Sequence, residues 1–342
     1  MPQLNPDANL KLSLVIPTFN EEESLDELHQ EINAVAREHN YDLEILFIDD
    51  GSSDQSWEVI QRLASTDERI RGIKFRRNFG KAAALDAGFQ AATGELILTM
   101  DADLQDDPQE IPRFLELMAE GKDVVSGWKK KRYDPWHKVG PSRVFNWMVS
   151  TLTGVRLHDH NCGMKSYRRE IFEEVRLYGE LHRFVPVLAS ARGWKVGEIV
   201  INHRARQFGH SKYGVRRIFK GFLDLLTVTF LTGFGQRPQH LLGGIGLFFF
   251  AAGGLGLLGL SAWWVISRMF DSLEPLELHR RAIFYFSIVA LLLGTQFVTV
   301  GLLAEMIRAM QAPGAKSYCI SDQIGVDPSE VETNRTVGRI DA

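Results

Sequence analysis

LILTMDADLQ, residues 96–105, runs an uncharged apolar stretch directly into two carboxylates. Leu96 to Met100 reads as a buried β-strand, and Asp101 and Asp103 follow at its carboxyl end. On an extended backbone, residues two apart point the same way, so these carboxylates are expected side by side. Two such charges repel unless a cation lies between them. Hard oxygen ligands favour Mg²⁺ or Mn²⁺, which binds a diphosphate in turn, and Gln105 can add a neutral oxygen. A solvated acidic turn is the plain alternative for an isolated pair; the place at the end of a central strand favours the metal.

Outward from this stretch, short β-rich runs alternate with amphipathic ones. Leu12 to Ile16, Leu43 to Ile48, Ile70 to Phe75 and Asp123 to Ser126 are the other predicted strands. Glu21 to Glu38, Ser56 to Ala64, Lys81 to Ala92 and Pro108 to Ala119 have helical spacing. Near-continuous apolar strands separated by helices predict an α/β domain with a mostly parallel sheet covered on both faces. Ligands of such sheets bind beyond the carboxyl ends of the strands. Pro17 to Glu21 and Asp49 to Asp54 fall at two more of those ends: the first would shape a base pocket, and Asp49 or Asp50 could bond a ribose or base. Asn20 with Glu23 also fits a helix N-cap and its reciprocal partner. Farther on, the pattern predicts a helix over Val139 to Leu152, a loop around Asp159 to Lys165, a helix near Phe184 to Ala191 and a strand near Val196 to Ile201.

The last third changes character. Between Lys212 and Phe234, basic residues interleave with Phe and Leu, the composition of a helix lying in a membrane interface. Leu241 to Ile266 carries no charge and exceeds the ~20 residues a span needs; Ile283 to Ala304 is a second such run. Glycines in the first run suit close helix packing in lipid and a homo-oligomer. Arg204, Arg206, Lys212, Arg216, Arg217, Lys220 and Arg237 precede the first span, against Arg268, Arg280 and Arg281 between the spans. That bias predicts a multi-pass protein of the inner (plasma) membrane with its large domain in the cytoplasm. The N-terminal run is short, contains Lys11 and Ser13 and ends at Pro17, so a first strand is expected there rather than a secretory signal.

With 43 acidic and 39 basic residues, net −4, bulk charge points away from nucleic acid. Cys162 and Cys319, the only cysteines, are too far apart in sequence to suggest a disulfide framework, and no His/Cys zinc spacing occurs. His182 and His203 are expected to be structural or polar contacts.

PTFNEEESL (17–25), DDGSSD (49–54), RNFGKAAAL (77–85), DADLQDDP (101–108), CGMKSYRR (162–169), HRF (182–184) and RQFGHSKYG (206–214) together resemble the family 2 glycosyltransferases of the GT-A fold. The similarity is to the branch with dolichol-phosphate mannose synthases and bacterial polyprenyl-phosphate glucosyl and aminoarabinosyl transferases, over about residues 10 to 310. The similarity, taken with the hydropathy pattern, implies a GT-A domain over 1–210, amphipathic juxtamembrane helices over 211–238 and two transmembrane helices over 239–310, and the polar, aperiodic composition of 311–342 predicts a disordered tail. The resemblance implies donor contacts at Pro17, Phe19, Glu21, Asp50, Lys81 and Asp101, and Mg²⁺ or Mn²⁺ at Asp101, Asp103 and Gln105. Asp159, Asp103 and Arg206 are the implied catalytic residues, with Arg143, Arg183, Arg206 and Lys212 near the acceptor phosphate. One departure stands out: where dolichol-phosphate synthases carry Gly-Ser-Arg, this chain has Gly127, Trp128 and Lys129, leaving Lys129 or Arg132 to supply the basic group. The QxxRW element of processive polysaccharide synthases is absent.

The expected reaction is inverting transfer of a sugar from a nucleotide-diphosphate donor, UDP-sugars favoured, to a polyprenyl phosphate such as undecaprenyl phosphate. A transferase with another lipid or a polysaccharide acceptor, and a catalytically silent membrane scaffold, are the alternatives.

Overall fold

The computed structural model describes residues 10–130, 136–175, 181–204, 216–229, 232, 238–270, 274 and 277–311. Two compact units divide the chain, Met1–Thr232 and Gly233–Ala342.

The first unit is built on a seven-stranded sheet. Its strands are β1 (Leu12–Thr18), β2 (Leu43–Asp49), β3 (Ile70–Lys74), β4 (Leu96–Thr99), β5 (Val124–Trp128), β6 (Lys165–Arg168) and β7 (Val196–Val200), in spatial order β3-β2-β1-β4-β6-β5-β7. Alternate residues of β1, β2 and β4 enter two separate cores. Leu14, Ile16, Phe47 and Leu98 pack on one side with α1 (Leu25–Glu38), α2 (Ser56–Thr66) and α4 (Ile111–Ala119). Val15, Leu46, Ile48 and Ile97 pack on the other with α3 (Lys81–Ala91), α6 (Ile171–Glu174) and α7 (Val185–Ala191). Burial on both faces is why these strands read as unbroken apolar runs.

The sheet departs from the expected pattern at β6, which starts at Lys165, the last residue of the expected loop, and covers residues for which no strand was expected. It runs antiparallel to both neighbours, pairing Thr99 with Lys165 and Val125 with Ser166. KSYR has no apolar run to announce a strand, yet Lys165, Ser166 and Tyr167 are all buried, Tyr167 against Phe89 and Phe172. A second correction concerns Asn20. Helix α1 starts only at Leu25, with Ser24 before it. Asn20 sits at φ +56°, and its Oδ1 accepts from the Ser53 amide at 2.8 Å. It therefore ties the β1 loop to the β2 loop instead of capping a helix.

Helices α5 (Trp136–Thr153) and α8 (Arg216–Thr229) share a small core of their own, with Val149, Leu225 and Val228 packed on Leu181 and Phe184. Leu223 and Thr227 lie exposed on α8.

The second unit is a hairpin of α9 (Pro238–Met269) and α10 (Ala282–Gln311). Gln239–Met269 and Ala282–Ile307 are each long and apolar enough to cross a membrane, and both are mostly exposed. Their backbones approach closely. A Cβ on Gly253 would fall 2.5 Å from the Leu291 amide nitrogen, and one on Gly294 would fall 2.4 Å from that of Phe250. The expected polar tail lies outside the described residues from 312 onward.

Candidate active site

The carboxyl ends of β1 and β2 finish together, because Thr18 pairs with Asp49. That register brings the loop carrying Phe19, Asn20 and Glu21 beside the loop after Asp50. The Asn20 amide donates to Ser52 Oγ at 3.0 Å and the Glu21 amide to Ser56 Oγ at 2.9 Å. Pro17, Phe19 and Glu21 are all partly exposed at this edge. Asp50 is buried, and its carboxylate accepts from the amides of Phe79 at 2.7 Å and Gly80 at 2.9 Å. Burial lifts its pKa above the ordinary value, against the pull of those two amides. Asp50 thus anchors the turn into α3, whose first residue is Lys81.

Strand β4 ends at Thr99, and the acidic loop turns at once, with Leu104 at φ +58°. The extended geometry expected for Asp101 to Asp103 is therefore replaced by a turn. Asp103 Oδ1 accepts from the Gln105 amide at 3.2 Å, and Gln105 Nε2 reaches the Arg204 carbonyl at 3.5 Å. Lys81 Nζ forms an ion pair with Asp101 Oδ1. Burial opposes the charge on Asp101, but Lys81, Lys129 and Lys165 more than offset it and hold the group below the ordinary carboxylate range.

Behind Asp101 lies the antiparallel strand. Continuing the β4–β6 register from Thr99 and Lys165 sets Gly163 opposite Asp101. A Cβ at Gly163 would come within 2.5 Å of Asp101 Oδ2, so only glycine leaves this carboxylate its position. Lys165 is buried; its Nζ donates to the carbonyls of Cys162 and, at 3.2 Å, His160. Burial lowers its pKa. Lys81, Asp101, Cys162, Gly163, Lys165 and Arg183 line one pocket of about 180 Å³, together with Asn161 and His182. Cys162 is a packing residue whose thiol burial pushes up to about 12.

The structure thus gathers Lys81, Asp101 and Arg183 from the expected set. Asp103 and Gln105 lie along the same acidic loop. Asp159 is buried just ahead of Asn161, and Glu198 Oε1 accepts the amides of His158 at 2.7 Å and Asp159 at 3.1 Å. Arg143 is exposed on α5. Arg206, Lys212 and Arg132 lie outside the described residues. Gly163 and Lys165 were not singled out from the sequence, because only the β6 pairing places them against Asp101.

Lys129 forms an ion pair at 2.8 Å with the fully buried Asp106, whose other oxygen accepts from the Asp101 amide at 3.4 Å. Burial works against the Lys129 charge, but Asp106, Cys162 and Asp101 outweigh it and lift its pKa. Lys129→Met strands Asp106 without its cation. We expect that to cost about 3–5 kcal/mol, lowering the midpoint of thermal unfolding by about 10 °C. A shift under about 2 °C in a thermal melt would contradict this.

Among the described residues no group of three or more His, Cys, Asp or Glu could hold a metal alone. The donor set still fits a hard divalent cation, since Mg²⁺ is usually held by one or two carboxylates completed by substrate phosphates. The Lys81 ammonium on Asp101 shows that this carboxylate already accommodates positive charge.

The sequence model of glycosyl transferase family 2 matches residues 13–176. Dodecaprenyl-phosphate galacturonate synthase of Rhizobium johnstonii is 37% identical over 333 residues, 95% of this chain and 96% of the relative. The chain belongs to glycosyl transferase family 2. This transferase is also 36% identical over 300 residues to undecaprenyl-phosphate 4-deoxy-4-formamido-L-arabinose transferase of Enterobacter sp., covering 87% and 88% of the two chains. Its fold is GT-A. Glucosyl-3-phosphoglycerate synthase of Mycobacterium tuberculosis, solved with Mn²⁺, UDP and phosphoglyceric acid, superposes with a TM-score of 0.51 at 16% identity, over 65% of the transferase and 78% of that chain.

Proposed function

We propose that the transferase moves a sugar from a nucleotide-diphosphate donor, a UDP-sugar by preference, onto a polyprenyl phosphate such as undecaprenyl phosphate, with inversion at the anomeric carbon. The observation that carries this is the pocket in which Lys81, Lys165 and Arg183 surround a single carboxylate, Asp101, at the end of β4. So much positive charge at a strand's carboxyl end suits a diphosphate. Relatives named for polyprenyl-phosphate sugars over nearly the whole chain support the lipid acceptor.

Pro17, Phe19, Glu21 and Asp50 would form the nucleoside side of the donor site, and Lys81 would meet the diphosphate. Mg²⁺ or Mn²⁺, held by Asp101 and Asp103 with Gln105 beside them, would supply Lewis-acid stabilisation of the leaving diphosphate. A phosphate monoester has its second pKa near about 6, so the acceptor is already anionic and needs no strong base. Asp159 then orients the acceptor or its arginine partners rather than removing a proton. Arg206, Lys212, Arg143 and Arg183 would neutralise the repulsion between two anionic substrates, guanidinium forks being suited to phosphate. In this reading α9 and α10 span the plasma membrane and the catalytic domain faces the cytoplasm, as the basic residues before the first span favour.

Two measurements test the reading. Membranes incubated with a panel of radiolabelled nucleotide sugars and undecaprenyl phosphate should pass label into the organic phase from one donor; none doing so would refute it. Arg206→Ala is expected to slow transfer about 10²-fold, the value of one charge-assisted hydrogen bond of ~3 kcal/mol. Asp159→Asn should cost less than about tenfold, as expected when no proton is removed. Initial rates showing the reverse order would assign Asp159 the role of a base.

A further inference from the structure

His158 is fixed at its backbone and at one ring nitrogen, while its other ring nitrogen stays open. Glu198 on β7 does most of the holding. Its Oε1 accepts the amides of His158 and Asp159, and its Oε2 accepts from His158 Nδ1 at 2.6 Å. The imidazole lies flat on the indole of Trp128, with ring centroids 3.9 Å apart and planes 12° from parallel. Asn146 Nδ2 donates to the His158 carbonyl at 2.8 Å. Yet 64% of the side chain is exposed, and Nε2 makes no hydrogen bond among the described residues. Ordering an exposed side chain costs rotamer entropy, and here the ordering leaves one nitrogen presented to a ligand.

A carboxylate only accepts, so the hydrogen of the Glu198 bond sits on Nδ1. Nε2 then meets a phosphate oxygen with one proton between them. Either partner can bring that proton: the imidazole as its cation, or a phosphate monoester, whose second proton leaves near about pH 6.

The place of His158 in the sheet selects which phosphate. Strand β6 is antiparallel to both β4 and β5, so β4 and β5 run the same way and Trp128 lies at the edge where Asp101 stands. In the order β3-β2-β1-β4-β6-β5-β7, the loops assigned to the nucleoside follow β1 and β2, on one side of β4. Trp128 and Glu198, on the paired strands β5 and β7, lie on the other. An inverting transfer brings the acceptor in opposite the leaving diphosphate, which is this second side. Arg143 is there too, one turn before Asn146 on α5. The Lys130 ammonium stands 5.7 Å from the centre of the Trp128 ring. Lys129, by contrast, is occupied by Asp106.

We infer that His158 Nε2 binds the phosphate of the acceptor lipid, with Glu198 and Trp128 fixing the imidazole for it. The inference rests on the acceptor being a polyprenyl phosphate and adds a contact to the basic residues proposed for it.

Initial rates of the full chain in membranes, with undecaprenyl phosphate and the nucleotide sugar that labels it, test this through mimics of each ring nitrogen. Asparagine carries an amide nitrogen where imidazole has Nδ1, and glutamine carries one where it has Nε2. His158→Ala and His158→Asn should both raise the KM for undecaprenyl phosphate by about 10- to 100-fold, the worth of one hydrogen bond to a charged group. His158→Asn does so although it can still donate to Glu198. His158→Gln should restore the lipid KM to within about fivefold of the unmodified enzyme. The KM of the nucleotide sugar should move less than about twofold in all three, which also shows them to be folded. A normal lipid KM in His158→Asn would mean that the ring only ties its loop to Glu198. A rise confined to the donor KM would give Nε2 to the diphosphate. Each result overturns the inference while transfer to the lipid stands. No transfer to undecaprenyl phosphate by the unmodified enzyme, from any nucleotide sugar, would overturn the acceptor reading and the inference with it.

Discussion

Asp101→Asn is expected to lower the rate of sugar transfer by about 10³-fold, the size of loss seen when one preorganised electrostatic contact is removed from an active site. The carboxamide keeps the shape of the side chain and removes its charge. That charge is the only negative one lining the pocket among the described residues, and Lys81 is paired with it. Three ammonium groups, on Lys81, Lys129 and Lys165, together hold Asp101 ionised against its burial. Without it, Lys81 loses the partner that fixes its ammonium, and only Asp103 is left of the two carboxylates proposed to hold the cation. The effect should fall on kcat more than on the KM of the lipid, because the charge removed is one assigned to the leaving diphosphate. Initial rates within tenfold of the unmodified enzyme would show that Asp101 is not part of the chemistry.

Gly163→Ala is expected to cost about 10²-fold, as displacements of about 1 Å near reacting groups do. The added methyl would sit 2.5 Å from Asp101 Oδ2 and 2.6 Å from its Cγ, nearer than non-bonded carbon and oxygen tolerate. Gly163 is not among the glycines with positive φ, so alanine brings no backbone strain of its own. Asp101 must swing away, and its pairing with Lys81 goes with it. The outcome separates position from charge: Gly163→Ala keeps every charged group of the pocket yet should resemble a weaker Asp101→Asn. Full activity in the folded variant, with an unchanged thermal midpoint, would mean the carboxylate is not held against β6.

How legible this site was depended on which forces shaped each part. Strands β1, β2 and β4 are buried on both faces, so their apolar runs announced a covered parallel sheet, and Asp101 stood plainly at the end of one of them. Strand β6 was hidden, since KSYR has a single residue, Tyr167, in the apolar core and its Lys165 is buried with its ammonium satisfied by carbonyl oxygens. Gly163 and Lys165 became visible only with the antiparallel register that sets them against β4, a long-range fact with no local signature. Asn20 misled for a related reason: an Asn with Glu three residues on fits a helix cap, but Ser52 and Ser53 compete for the same polar groups and win. Lys129 was one of two possible basic groups after β5. Its buried pair with Asp106 gives it a place beneath the acidic loop that spacing alone could not assign.

The central claim is that Asp101 and Asp103 hold a divalent cation together with the diphosphate of the donor. Anomalous diffraction from crystals of the chain soaked with Mn²⁺ and UDP tests it most directly. The account predicts one manganese peak bridging the two carboxylates and the diphosphate, lost in Asp101→Asn. Nucleotide bound in the pocket with no manganese at those carboxylates, or a peak that persists in Asp101→Asn, would contradict it.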